Sequence, residues 1–109
     1  MESRFGYRMT RSANADLEDI VSYLSERLSN PKAASDFVDK LQAAIDELRS
    51  FPEIGPSVVN EFLPDADVRK KLVGTYLMYY LPDRARRTIY ILRIVYARRS
   101  QDEILMRLS

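Results

Sequence analysis

Two hydrophobic periods divide this chain. Phe5, Tyr7 and Met9 alternate with Gly6, Arg8 and Thr10, a period of two that predicts a short half-buried strand. The period then lengthens: Leu17, Ile20, Val21, Leu24 and Leu28 recur at helical spacing and form one apolar stripe. Ser12 is the predicted N-cap, with Asp16, Glu18 and Asp19 near the positive end of the helix. Asn30-Pro31 ends that helix and opens another, Asn30 as N-cap and Pro31 in the first turn, where a missing N–H is harmless. The second stripe is Ala34, Phe37, Val38, Leu41, Ala44, Ile45 and Leu48. Together they predict an antiparallel helical hairpin.

Phe51-Pro52, Gly55-Pro56 and Pro64 break regular structure and predict a long loop. Three strand-like runs follow, over residues 68–73, 75–81 and 88–97. Gly74 marks the first connection and residues 82–85 the second. Strands so near in sequence are expected to pair as an antiparallel meander. The second and third runs are apolar on both faces, apart from Arg93, and belong in the sheet interior; the Arg/Lys-rich first run belongs toward an edge. Ser100-Gln101-Asp102-Glu103 has the form of a capping box and predicts a short helix through Ile104, Leu105 and Leu108. The element order is β-α-α-β-β-β-α. This predicts one α+β domain over residues 1–109, with a helical hairpin on one face of a small, mostly antiparallel sheet and the bases on the other face and its rim.

Charge changes the picture. The total is +1, yet residues 67–109 hold ten Lys/Arg against four acids, while residues 1–66 hold seven against twelve. A near-neutral chain is therefore dipolar, and its sheet end attracts anionic partners. With neither cysteine nor histidine, disulfides, thiolate chemistry and the usual base near neutral pH are excluded. No apolar run reaches the roughly 20 residues of a membrane span, and no apolar leader opens the chain, so a cytoplasmic protein is expected. The acids Asp16, Glu18, Asp19, Asp46 and Glu47 read as helix-dipole and surface charge, Asp65-x-Asp67 is too sparse for a metal site, and no cofactor is expected.

The order and spacing of several segments resemble the RelE/ParE superfamily of toxins from bacterial type II toxin–antitoxin modules. The opening Tyr7-Arg8-Met9-Thr10-Arg11-Ser12-Ala13 with Asp16-Leu17-Glu18-Asp19-Ile20 is similar to the strand-to-helix entry of ParE-like members. Ala44-Ile45, Leu48, Phe51-Pro52 and Gly55 resemble their second helix and its exit. The most specific block runs from Gly74-Thr75-Tyr76-Leu77-Met78-Tyr79-Tyr80 to Ile89-Tyr90-Ile91-Leu92-Arg93-Ile94-Val95-Tyr96-Ala97-Arg98-Arg99.

The resemblance implies one of two poisons. RelE-like members cut messenger RNA on the ribosome; ParE-like members stall DNA gyrase on DNA. Arg69 and Lys71 stand where the ribonucleases place lysines, and Arg98 where they place an arginine after the last strand. Leu77, however, stands at the place of a further arginine, Ile104 at the place of a catalytic Tyr or His, and nothing after Tyr96 is either. Attack by a 2′-OH needs a proton acceptor, and arginine stays protonated. The expectation is therefore a non-catalytic, ParE-like gyrase inhibitor, partnered by a cognate antitoxin in a hetero-oligomer. The alternatives are a ribosome-dependent endoribonuclease acting on messenger RNA and a non-toxic antitoxin-binding module of the same fold.

The candidate contacts to target or antitoxin are Arg69, Lys71, Arg93, Arg98 and Arg99; no catalytic or metal-ligating residue is assigned. Arg93 has a second reading, as a structural arginine paired with an acid of the helical hairpin, because buried arginines are nearly always paired. Arg84, Arg86 and Arg87 read as solvated turn charge. Tyr76, Tyr79, Tyr80, Tyr90 and Tyr96 read as packing residues with hydroxyls reaching the surface.

Overall fold

The structure, a computed structural model, describes residues 4–58 and 65–98. Strand β1 (Gly6–Met9) leads into helix α1 (Arg11–Ser22), and helix α2 (Pro31–Ser50) returns antiparallel to it. Strands β2 (Arg69–Val73), β3 (Tyr76–Asp83) and β4 (Thr88–Tyr96) follow. The sheet order is β1-β4-β3-β2: the last three form the antiparallel meander, and β1 joins it parallel to β4, from Gly6↔Thr88 to Met9↔Ile91. This is the α+β arrangement read from the sequence. The predicted C-terminal helix and Arg99 lie outside the described residues.

The α1 cap is Thr10, not Ser12. β1 ends at Met9, so the next side chain turns over the helix: Thr10 Oγ1 accepts from Ala13 N at 3.1 Å and donates to Leu92 O at 3.0 Å. One hydroxyl thus caps α1 and ties it to β4. Asn30 caps α2 as predicted, its Oδ1 accepting from Ala33 N at 3.0 Å, with Pro31 in the first turn.

The α1 stripe was expected to run unbroken to Leu28. Instead the helix widens into a π-helical turn at Tyr23–Arg27, where Leu28 N donates to Tyr23 O at 3.0 Å. Ser25 Oγ donates to Val21 O at 2.7 Å, a side-chain bond that competes for the carbonyls of this turn. The extra residue per turn rotates the stripe, leaving Leu28 52% exposed. Val38, placed in the α2 stripe by spacing, is also exposed, while Ala34, Phe37, Leu41, Ala44, Ile45 and Leu48 are buried.

The main core lies between the hairpin and the sheet, where Phe37, Leu41, Ile45 and Leu48 meet Met78, Tyr80, Ile89, Ile91 and Ile94. A second, smaller core on the opposite face corrects the expectation of a basic surface there. Leu77, Tyr79 and Val95 are buried against Val68, with Val58 and Ala66 of the loop packed over them. The described ends of the long loop therefore pack on the sheet, held by Val58 N→Val68 O at 2.7 Å and Lys70 N→Pro56 O at 3.2 Å.

β3 also runs further than predicted, through Pro82 to Asp83. β2 pairs with β3 only as far as Tyr80, so Pro82 sits beyond that partner on a locally free edge, where no ladder bond is lost. Gly74, at φ 62°, makes the β2–β3 turn in the left-handed region that glycine tolerates. No helix among the described residues is long and apolar enough to cross a membrane.

Candidate partner-binding surfaces

The bases singled out by sequence are distributed by the fold between internal work and open surface. On β4 the register slips between Tyr79 and Tyr80 of β3: Tyr79 pairs with Arg93 and Tyr80 with Ile91, leaving Leu92 as the extra residue of a bulge. The bulge resets the alternation, so Ile94 enters the helix-side core and Val95 the opposite one. Arg93 then reaches α1. Its Nε and Nη2 donate to the two carboxylate oxygens of Asp16 at 2.8 and 3.0 Å, and Asp16 Oδ2 also accepts from Ile94 N at 2.9 Å. Both side chains are largely covered. The hydrogen bond to Asp16 raises the Arg93 pKa above its ordinary value, against a smaller opposing effect of burial. Arg93 is thus the structural arginine of its second reading, and Asp16 is a packing acid, not surface charge. The sequence carried a signal for this: Asp16 lies three residues after Ala13 and four before Ile20, the two buried residues of α1.

Arg69 and Lys71 are likewise engaged. Arg69 bonds Asp67 at 3.1 Å and the carbonyls of Glu53 and Gly55 at 3.1 and 2.8 Å, stapling the loop to β2. Lys71 Nζ lies 2.6 Å from Glu47 of α2. Arg84, read as solvated, pairs with Glu53 and, more loosely, with Asp67. Of the predicted contact residues, Arg98 alone is both described and open: it is exposed and has no ion pair among the described residues. The fold therefore does not bring the four described candidates into one cluster.

What it does assemble is an apolar groove that sequence reasoning did not single out. The π-helical turn of α1 faces the end of the β3–β4 ladder across about 590 Å³, lined by Ile20, Tyr23, Leu24, Leu28, Tyr76 and Tyr96 among others. Tyr23, Leu28 and Tyr96 are 46%, 52% and 42% exposed. Its floor is rigid: Tyr76 packs edge-to-face on Phe37 at 5.0 Å and on Tyr96 at 5.8 Å between ring centres. A second cleft of about 510 Å³ lies along β2, between Ile54 and Pro56 of the loop and Lys70, Leu72, Leu77 and Ala97. Exposed Leu28 and the π turn are the features that helical spacing alone could not foresee.

Three tyrosines of β3 are poorly suited to proton abstraction. Burial pushes the phenols of Tyr76, Tyr79 and Tyr80 above their ordinary value; the Gly55 amide only partly offsets this at Tyr80. Tyr80 Oη accepts from Gly55 N at 2.9 Å, whereas Tyr79 Oη is buried without a hydrogen-bond partner among the described residues. Among the described residues no three carboxylates gather in a group that could hold a metal ion.

Residues 7–101 match the sequence model of the ParE toxin of type II toxin–antitoxin systems. Toxin ParE1 of Caulobacter vibrioides is 34% identical over 74 residues, which span 68% of this chain and 73% of that protein. Among solved structures, the chromosomal ParDE toxin–antitoxin system of P. aeruginosa aligns with a TM-score of 0.66 at 23% identity, covering 85% of this chain and 96% of the other. The RelBE2 toxin–antitoxin complex of Mycobacterium tuberculosis aligns at 0.61 and 22%, covering 85% and 98%. At those identities the two structures establish the fold.

Proposed function

The chain belongs to the ParE toxin family of type II toxin–antitoxin systems, and from that premise we propose that it arrests growth by binding DNA gyrase, without catalysis, and that a cognate antitoxin neutralises it. The match over residues 7–101 carries this reading. The chemistry agrees with it. An endoribonuclease needs a group that takes the 2′-OH proton, and the chain has no histidine to offer. Its buried phenols hold their protons more tightly than free tyrosine. The Asp16 carboxylate is saturated by Arg93 and the Ile94 amide.

The antitoxin reading rests on the groove beside the π-helical turn. Three large apolar or aromatic side chains stand open there on a rigid aromatic floor, the arrangement that an apolar anchor on a partner's tail fills. Arg98 follows Tyr96 by two residues, so an acid beside that anchor has a cation within the same region. Occupying the groove also removes apolar surface from water.

Induced expression in bacteria tests the proposal, with plasmid supercoiling and the integrity of a translated message followed together. Loss of supercoiling with intact message supports it. Message cleavage at unchanged supercoiling overturns it in favour of a ribonuclease.

A further inference from the structure

The helix-free face of the sheet carries, at its β1–β4 rim, a group that neither the groove nor the internal ion pairs use. Phe5 is buried against the helices and Met9 packs on the same core, so alternation turns Arg8 to the opposite face. On β4, Ile89 and Ile91 are buried in that core, which turns Tyr90 outward in the same way. Arg8 and Tyr90 are register partners on adjacent strands. Arg86 stands in the β3–β4 turn two residues before Thr88, the first residue of β4, and the nearby Tyr90 phenol raises its pKa above the ordinary value. Two guanidinium groups thus stand near one partly exposed aromatic ring, where edge strand β1 meets β4.

These cations differ from several others among the described residues. Arg4, Arg49, Arg69, Lys71, Arg84 and Arg93 are tied to carboxylates of their own fold. Arg8 has no such partner among the described residues. Asp83 acts on Arg86, but its Oδ1 already accepts from the Arg86 amide at 3.1 Å and caps the turn.

We infer that Arg8, Tyr90 and Arg86 form a binding site for the phosphodiester backbone of DNA. Guanidinium forks match phosphate oxygens, and a phenol between them offers a hydroxyl to a phosphate or sugar and a ring face to a base. An acidic protein is the poorer occupant. A stable protein interface needs an apolar centre inside a polar rim, and none of the exposed large apolar side chains stands on this face of the rim: Tyr7 of β1 alternates to the other face from Arg8, and the rest belong to the groove, the cleft along β2, α2 and its exit. The inference extends the gyrase reading, because a toxin that stalls gyrase on DNA gains from gripping both. Its test contains no gyrase, so either can fail alone.

The test is binding of the full chain to a labelled DNA duplex, read by fluorescence anisotropy at about 50 and about 200 mM salt. The double variant Arg8→Gln/Arg86→Gln removes two exposed cations from the rim. Arg27→Gln/Lys40→Gln removes two exposed cations elsewhere and is the control of equal charge. The rim variant is expected to bind about tenfold more weakly at the lower salt and to lose nearly two from the slope of log affinity against log salt, about 0.9 per phosphate contact. The control is expected to stay within about twofold of the parent. Equal losses in the two variants overturn the site, since net charge alone then accounts for binding. So does a parent chain that binds a single-stranded RNA but not the duplex, or neither.

Discussion

Arg93 of β4 and Asp16 of α1, 77 residues apart in sequence, close a two-point ion pair that also takes the backbone amide of Ile94. The last β1 pairing is Met9↔Ile91, so beyond it β4 has no strand on that side. The Asp16 carboxylate there accepts an amide from β4, as a strand carbonyl would, and locks the helical hairpin to the sheet. Within the sheet, the one-residue bulge at Leu92 adjoins this pair and lets Ile94, whose amide Asp16 takes, enter the helix-side core.

Replacing Asp16 by Asn should therefore destabilise the fold by about 2–4 kcal/mol, since it leaves a largely covered guanidinium without its counter-charge. Asp16→Leu combined with Arg93→Met should recover part of that loss, because a matched apolar pair removes both charges. Urea unfolding of the single and double variants checks this. Additive losses would show that the two side chains act independently.

Neighbouring tyrosines of β3 should respond in opposite directions. Tyr79 buries a hydroxyl with no partner among the described residues, so Tyr79→Phe should be neutral or stabilising by about 1 kcal/mol. Tyr80→Phe strips the acceptor from the Gly55 amide and should cost about 1–2 kcal/mol. The pH dependence follows from burial, which raises both phenols in the folded state. That stabilisation is fully present below the ordinary phenol pKa of about 10 and is lost as pH rises through the higher folded value. Unfolding midpoints measured from neutral to alkaline pH should fall above about pH 10, and less steeply in Tyr79→Phe. A fall that begins near neutrality would contradict the assignment.

Gly55 is fixed by space rather than by backbone angle. A Cβ there would lie 2.2 Å from Lys70 O and 2.8 Å from the Tyr80 hydroxyl, on the strand that the loop must hug. Gly55→Ala should push the loop from β2, loosen the Arg69 staple and destabilise by about 1–3 kcal/mol. Hydrogen exchange should show earlier opening at Val58 and Lys70, whose amides tie loop to strand. Unchanged exchange there would show that the loop absorbs the extra methyl group.

The two apolar periods, the Asn30-Pro31 junction and the three strand runs were legible because each is local: helical or alternate spacing, a cap, a turn. The parallel partner of β1 was not, since nothing in residues 5–10 distinguishes one strand edge from another. The fate of the bases was only half legible. Arg93 stood out as a charge on a two-sided apolar strand, and pairing with the hairpin followed from burial. Arg69 and Lys71 gave no such sign: Asp67 is two residues from Arg69, but the Glu53 and Gly55 carbonyls and the Glu47 carboxylate that engage the pair lie on a loop and a helix farther off in sequence. The groove was hidden for another reason. Ideal helical spacing places Leu28 inward, and a single π turn rotates it out.

That rotation supplies the last prediction, which rests on the proposed antitoxin site. Tyr23 and Leu28 are about half exposed, so Tyr23→Ser and Leu28→Lys should leave the fold intact. Each should weaken binding of the cognate antitoxin by about 10- to 100-fold, the effect of removing a central apolar contact or placing a charge in it, about 1.4–2.8 kcal/mol. Val38→Lys is the control: Val38 is 42% exposed on α2 but does not line the groove, and its variant should bind like the parent. Calorimetric titration with the purified antitoxin compares the three. The groove also predicts where rescue comes from, since a toxin that escapes its antitoxin through Leu28→Lys should still inhibit gyrase while growing insensitive to antitoxin co-expression. Antitoxin affinity unchanged in both Tyr23→Ser and Leu28→Lys would move the antitoxin to another face, with the cleft along β2 the next to be tested.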